Sequence, residues 1–161
     1  MRVRNAGART LLVAIGLLQT HESSAAPSKS DVELLRALHE KTMRAHKESN
    51  AVMLVEDQAA DMVIVNRGAV TWPTLAERKA SFGSYLGRTR FSEYRDLIEP
   101  IVRVSNDGSL GWVICQISAR GVQTDEEGKK KPVEFVSAWV ELYEKRNGRW
   151  YGVGNVSNFR P

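Results

Sequence analysis

The chain has 161 residues and a mass of 18.0 kDa, the size of one domain. Hydrophobic residues make up 42% and charged residues 26%, an ordinary globular mix that argues against disorder, collagen and coiled coil. The net charge is +4, and the single cysteine excludes an internal disulfide framework and any multi-cysteine zinc or iron–sulfur centre.

Residues 1–25 read as a cleaved secretory signal, which leaves 26–161 as one domain. Arg2, Arg4 and Arg9 give a positive start, Leu11 to Leu18 is a short apolar run, and Ser23-Ser24-Ala25-Ala26 offers small residues for cleavage. The apolar run is far shorter than the roughly 20 residues a membrane-spanning helix needs, so no span is expected in the mature chain. Cleavage after Ala25 removes three arginines and Glu22 and lowers the net charge to +2. A near-neutral domain argues against nucleic acid, which asks for a clustered basic face. The implied location is exported, periplasmic or secreted. Cys115 sits in an apolar strand pattern, so a buried thiol is expected rather than an intermolecular link.

Ser30-Asp31-Val32-Glu33 has the pattern of a capping box, with Ser30 as N-cap. The helix it opens should run to about Ser49, with Val32, Leu35, Leu38, Thr42 and Ala45 as its apolar stripe. Asn50 to Gln58 suggests a short second helix. Ala60 to Asn66 reads as a buried, β-branched strand ended by Arg67-Gly68. After the loop Ala69 to Pro73, Thr74-Leu75-Ala76-Glu77 is a second capping box, opening a helix to Leu86 with Gly87 as its C-terminal cap. The period then changes to 2. Strands are expected over Phe91–Val104, with a bulge at Pro100, and over Leu110–Arg120, Val133–Lys145 and Arg149–Asn158. Asn106-Asp107-Gly108 and Asn147-Gly148 are turn signals, and Asp125 to Lys131 is a charged hairpin loop.

Helices followed by hairpin-linked strands make an α+β arrangement, with N-terminal helices packed on a curved antiparallel sheet. Gly and Pro interruptions imply a bent sheet, and a bent sheet under helices forms a cone with a pocket inside.

Three segments carry a family resemblance. They are Asp61 to Gly68, the first strand and its exit; Val104 to Trp112, an S-x-D-G-S-x-A-W-type turn; and Glu144 to Trp150, a G-x-W hairpin. In this order, over essentially all of the mature chain, they resemble the nuclear-transport-factor-2-like (NTF2-like) superfamily, and in particular its SnoaL-like and DUF4440-type exported bacterial branch. The resemblance implies a cone-shaped fold that hosts isomerases, dehydratases, cyclases, binding proteins and oligomerisation domains. In the steroid-isomerase branch a carboxylate base lies near the exit of the first strand and a tyrosine on the first helix. Here those positions fall near Asn66 and near Thr42 or Met43. An amide cannot take a proton from carbon, so the resemblance does not extend to that activity.

Other residues offer chemistry. Asp61 is read either as a pocket carboxylate with general-base potential or as a strand-entry residue bonded locally. His39 is an acid–base candidate on the helix flank; His46, two turns away, is too distant to share a metal ion with it. No ligand cluster for a metal stands out, and no cofactor is implied. Tyr94 and Asp96 share a strand face and could bind or polarise a carbonyl. Trp72 could form a rim over the cavity, and Asn155, with Ser157 and Asn158, could hydrogen-bond a ligand. Phe135, Trp139 and Tyr143 alternate at period 2 and are read as an apolar outer sheet face suited to a homodimer.

The leading expectation is therefore an exported cone-fold domain that binds a small, largely apolar molecule. The alternatives are a homodimeric interaction domain without catalysis, and a SnoaL-like lyase or isomerase using Asp61, His39 or Asp96.

Overall fold

The computed structural model describes residues 29–160; the signal segment 1–25 read from the sequence lies outside them. The chain runs α1 (Lys29–Lys47), α2 (Ala51–Val55), β1 (Gln58–Asn66), β2 (Ala69–Thr71), α3 (Leu75–Arg88), β3 (Thr89–Asp96), β4 (Ile101–Val104), β5 (Leu110–Thr124), β6 (Lys130–Arg146) and β7 (Arg149–Arg160). The helices cover one face of a curved, unclosed seven-stranded sheet. This is the α+β cone expected from the sequence.

Local chemistry explains most boundaries. The second capping box forms in full: Thr74 Oγ1 accepts from Glu77 N at 3.2 Å, and Glu77 Oε2 accepts from Thr74 N at 2.7 Å. Asn50 caps α2 by accepting from Met53 N at 3.0 Å. Asn147 and Gly148 both have positive φ, 52° and 78°, the requirement of the tight turn that joins β6 to β7.

Four local expectations are corrected. Ser30 lies inside α1 rather than capping it. Gly87 lies inside α3, and the C-cap is Thr89, in extended conformation. The segment after Gly68 forms the short strand β2, because the Arg67-Gly68 turn folds it back on β1. The long third strand is two strands broken at 97–100, and its bulge lies at Ser92, where the β3–β5 register shifts.

The sheet order is β2-β1-β7-β6-β5-β3, with β4 also paired to β5. From β3 to β7 the pairings are antiparallel. β1 adds to β7 in parallel, which makes the sheet mixed. Three apolar clusters hold the layers together. Met43 of α1 packs with Tyr94, Cys115, Ile117 and Trp139. Leu35 packs with Val102, Val113, Tyr143 and Trp150. Ala45, Leu54 and Leu86 join the three helices. Cys115 is a free, buried thiol, as expected. Among the described residues, no helix is long and apolar enough to cross a membrane.

Candidate functional site

Side-chain alternation sets what each strand offers to the cone interior. Along β1, Met62, Ile64 and Asn66 face in. The register carries this across the sheet: Ile64 pairs with Asn155, which pairs with Glu141, and Asn66 pairs with Ser157, which pairs with Trp139. All of these residues line one cavity of about 260 Å³. Leu38, Thr42 and His46 of α1, Met53 of α2, and Phe82 and Tyr85 of α3 close its other side. The wall is mainly apolar, with a few polar groups set into it, the usual composition of a small-molecule site.

Glu141 is the most heavily bonded of these groups. Its side chain is nearly fully buried. Trp139 Nε1 donates to Oε1 at 2.8 Å and the Tyr143 hydroxyl donates to Oε2 at 2.8 Å. His39 approaches Oε1 through Nδ1 at 3.2 Å, and its Nε2 lies 3.1 Å from Asp96 Oδ1. Burial works to lower the His39 pKa, but the bonds and charges of Glu141 and Asp96 outweigh it and raise the value above 6.5. The two carboxylates thus favour the protonated ring, which has an N–H to offer each of them. Cys115 completes the cluster: ligand atoms of His39, Cys115 and Glu141 lie within 4.8 Å of one another. Burial pushes the Cys115 thiol pKa well up, so it keeps its proton. Both ring nitrogens of His39 face carboxylates. His39 and Glu141 are therefore built as a hydrogen-bonded pair while Cys115 turns to Trp139 O, and a metal ion would have to displace protons from the trio.

His46 behaves oppositely. Burial pushes its pKa below 6.5, against the bond to Thr42 O at 2.9 Å. The neutral ring stacks on Tyr94 at 4.4 Å with an interplanar angle of 9°. Tyr94 is 3% exposed and lines the cavity. Asn66 Oδ1 is buried and without a partner. Asp57 lines the cavity too, but it is spoken for: burial opposes its ionisation, while Lys41 and Arg149 outweigh that and hold its carboxyl below the ordinary value.

The structure distributes the sequence candidates unevenly. Tyr94, Asn66 and Asn155 line the cavity. Asp61 does not. It is one residue out of phase with Met62, so it points to the outer face, where both carboxylate oxygens meet Arg146 at 3.0 Å. Those bonds lower its pKa, the reverse of a base raised by an apolar pocket. His39 is 1% exposed and reaches the cavity only through Glu141. Asp96 shares a face with Tyr94 but turns to His39, so the two do not form a joint carbonyl site. Trp72 is 69% exposed and borders a separate cleft with Thr71, Pro73 and Arg78, not the cavity rim. Phe135, Trp139 and Tyr143 face inward and line the cavity. The alternation behind the outer-face reading is real, but it runs on the opposite side of the sheet. Glu141 is the residue that sequence reasoning missed. The available signal was a carboxylate at the alternate position between Trp139 and Tyr143.

No family model and no curated protein matches the chain. Solved structures do. A ketosteroid isomerase-like protein from Erwinia carotovora atroseptica is 14% identical, with a TM-score of 0.62 over 83% of this chain and 99% of that one. A candidate dehydratase of the NTF2-like family from Streptomyces avermitilis is 14% identical, with a TM-score of 0.63 over 81% and 97%. A candidate calcium/calmodulin-dependent protein kinase II association domain from Xanthomonas campestris is 21% identical, with a TM-score of 0.57 over 79% and 86%. The helical cover, the strand order and these likenesses agree: this chain has the NTF2-like α+β cone fold.

Proposed function

We propose that this chain is an exported domain of the SnoaL-like type that binds a small, largely apolar molecule in the cone cavity. The observation that carries the reading is the cavity itself: an apolar wall with Tyr94 and Asn155 set into it and one buried polar atom, Asn66 Oδ1, that no described residue satisfies. Leaving such a group unpaired costs about 1–3 kcal/mol, which a ligand would recover. Export rests on the arginines and apolar run of residues 1–25. Native mass spectrometry of the chain made in an export-competent host tests both parts. A start at Ala26 and a retained small molecule are expected. The variant Ile64→Trp, which fills the cavity, should lose the added mass and stay folded. A start at Met1 would remove the export argument, and an added mass that survives Ile64→Trp would place the ligand elsewhere.

A second reading rests on the outer face of the sheet. Ile114, Val140, Val156 and Val65 form one row across four strands, and Ile114 and Val156 are 37% and 42% exposed. Such a face suits a second copy of the chain. Sedimentation of the wild type and of Val156→Asp checks it: a dimer that falls to monomer supports the face, and a wild-type monomer removes it.

A further inference from the structure

Two acceptors, on Glu141 and Asn66, stand among the polar groups that line the cavity. Glu141 meets three partners, His39, Trp139 and Tyr143. A carboxylate has about four lone-pair sites, so one remains open on a residue that lines the cavity. Asn66 Oδ1 is a second acceptor, buried and without a partner. The sheet register places the two on adjacent inward rows. Glu141 lies in the row with Asn155 and Ile64; Asn66 lies in the row with Ser157 and Trp139. Two strand spacings and one two-residue step put their backbones about 12 Å apart. Their side chains converge on the cavity from there, within the span of a two-ring molecule.

His39 lies against Glu141 inside the wall, and Asp96, on the far side of the ring, is 29% exposed and open to water. A bound ammonium would meet a carboxylate already paired with His39, Trp139 and Tyr143, at the cost of its own desolvation. A neutral donor meets no such cost. From the open acceptor on Glu141 and the orphaned Asn66 Oδ1, we infer that the cavity selects apolar molecules bearing hydroxyl groups, alcohols or phenols, which donate to these two oxygens. This rests on the cavity-binding reading and specifies the ligand's polar end.

Matched probes test it by isothermal titration calorimetry: 2,6-dihydroxynaphthalene, 2,6-dimethoxynaphthalene and 2-naphthylmethylamine. The rings are alike; only the donor changes. The dihydroxy compound should bind the wild type at least ~10-fold more tightly than its dimethyl ether, the effect of one well-made buried hydrogen bond. Asn66→Leu removes one acceptor without touching the His39 network and should erase most of that ratio while ether binding persists. Glu141→Gln should reduce the ratio as well, and circular dichroism shows whether its fold is retained. Equal binding of diol and ether overturns the inference and leaves the cavity reading standing. So does a preference that Asn66→Leu leaves unchanged, or tighter binding of the amine. If none of the three probes binds, the cavity reading itself fails, and the inference with it.

Discussion

Trp150 Nε1 donates to Asp31 Oδ1 at 3.1 Å, joining residues 119 apart in the sequence. The bond pins the first turn of α1 to the start of β7, beneath the Leu35 cluster. Lys145 reaches the same oxygen at 2.5 Å. Asp31→Ala leaves a buried indole N–H without this acceptor and should cost about 1–3 kcal/mol in urea unfolding. Trp150→Phe in the same background should cost less than it does in the wild type, since its partner is already gone.

Arg78 is 1% exposed and holds three neutral acceptors: Gln58 Oε1 at 2.9 Å, Pro73 O at 2.5 Å and Ala59 O at 2.6 Å. One guanidinium thereby locks α3 to β1 and to the loop that enters α3. Arg78→Met keeps the stem but orphans two backbone carbonyls, so a loss of about 3 kcal/mol is expected in denaturant unfolding. Arg78→Lys should recover little of it, because a point ammonium cannot reproduce the planar fork.

The two helix histidines should give opposite pH signatures. The folded pKa of His39 is raised, so its stabilisation is full below pH 6.5 and is lost as pH rises through the folded value. The folded pKa of His46 is lowered, so its contribution is full above pH 6.5 and falls as pH drops from there toward the folded value. Unfolding free energies measured from pH 5 to 9 check this. His46→Phe should flatten the acid side of the profile only, and His39→Gln the alkaline side only. A profile unchanged by either variant would contradict the assignment.

Gly121 sits opposite the Ser92 bulge, where β3 comes closest to β5. A Cβ built there would lie 2.9 Å from Phe91 Cα and nearer still to Arg90 O. Gly121→Ala should destabilise by about 1–3 kcal/mol. Amide exchange should localise the damage to 89–92, with the β5–β6 pairing kept.

The legible parts of the fold were those encoded by neighbours in sequence. The Thr74–Glu77 box and the Asn147-Gly148 turn are complete within four residues or fewer, and both form as read. The buried row of α1 is different. Asp31, Leu35, His39 and Met43 recur at every fourth position and are all buried, yet an apolar stripe skips the two polar members. Their partners lie on distant strands, and only those partners make burial tolerable. Period 2 in β6 likewise shows that Phe135, Trp139, Glu141 and Tyr143 share a face, but not which face is covered. That depends on where the helices land. The parallel seating of β1 beside β7 is also set by tertiary packing, and no local motif announces it.

That seating has a consequence for how the molecule is made. β7, the last of the described strands in chain order, lies between β1 and β6. The hairpin-linked strands from β5 on can pair as they appear, whereas the β1–β2 hairpin must wait for its sheet neighbour, encoded some ninety residues downstream. The cavity wall formed by Ile64 and Asn66 therefore closes last. An incompletely synthesised chain has an open sheet edge and no enclosed cavity, so loss of the final strand should abolish both the seat of β1 and the binding site together.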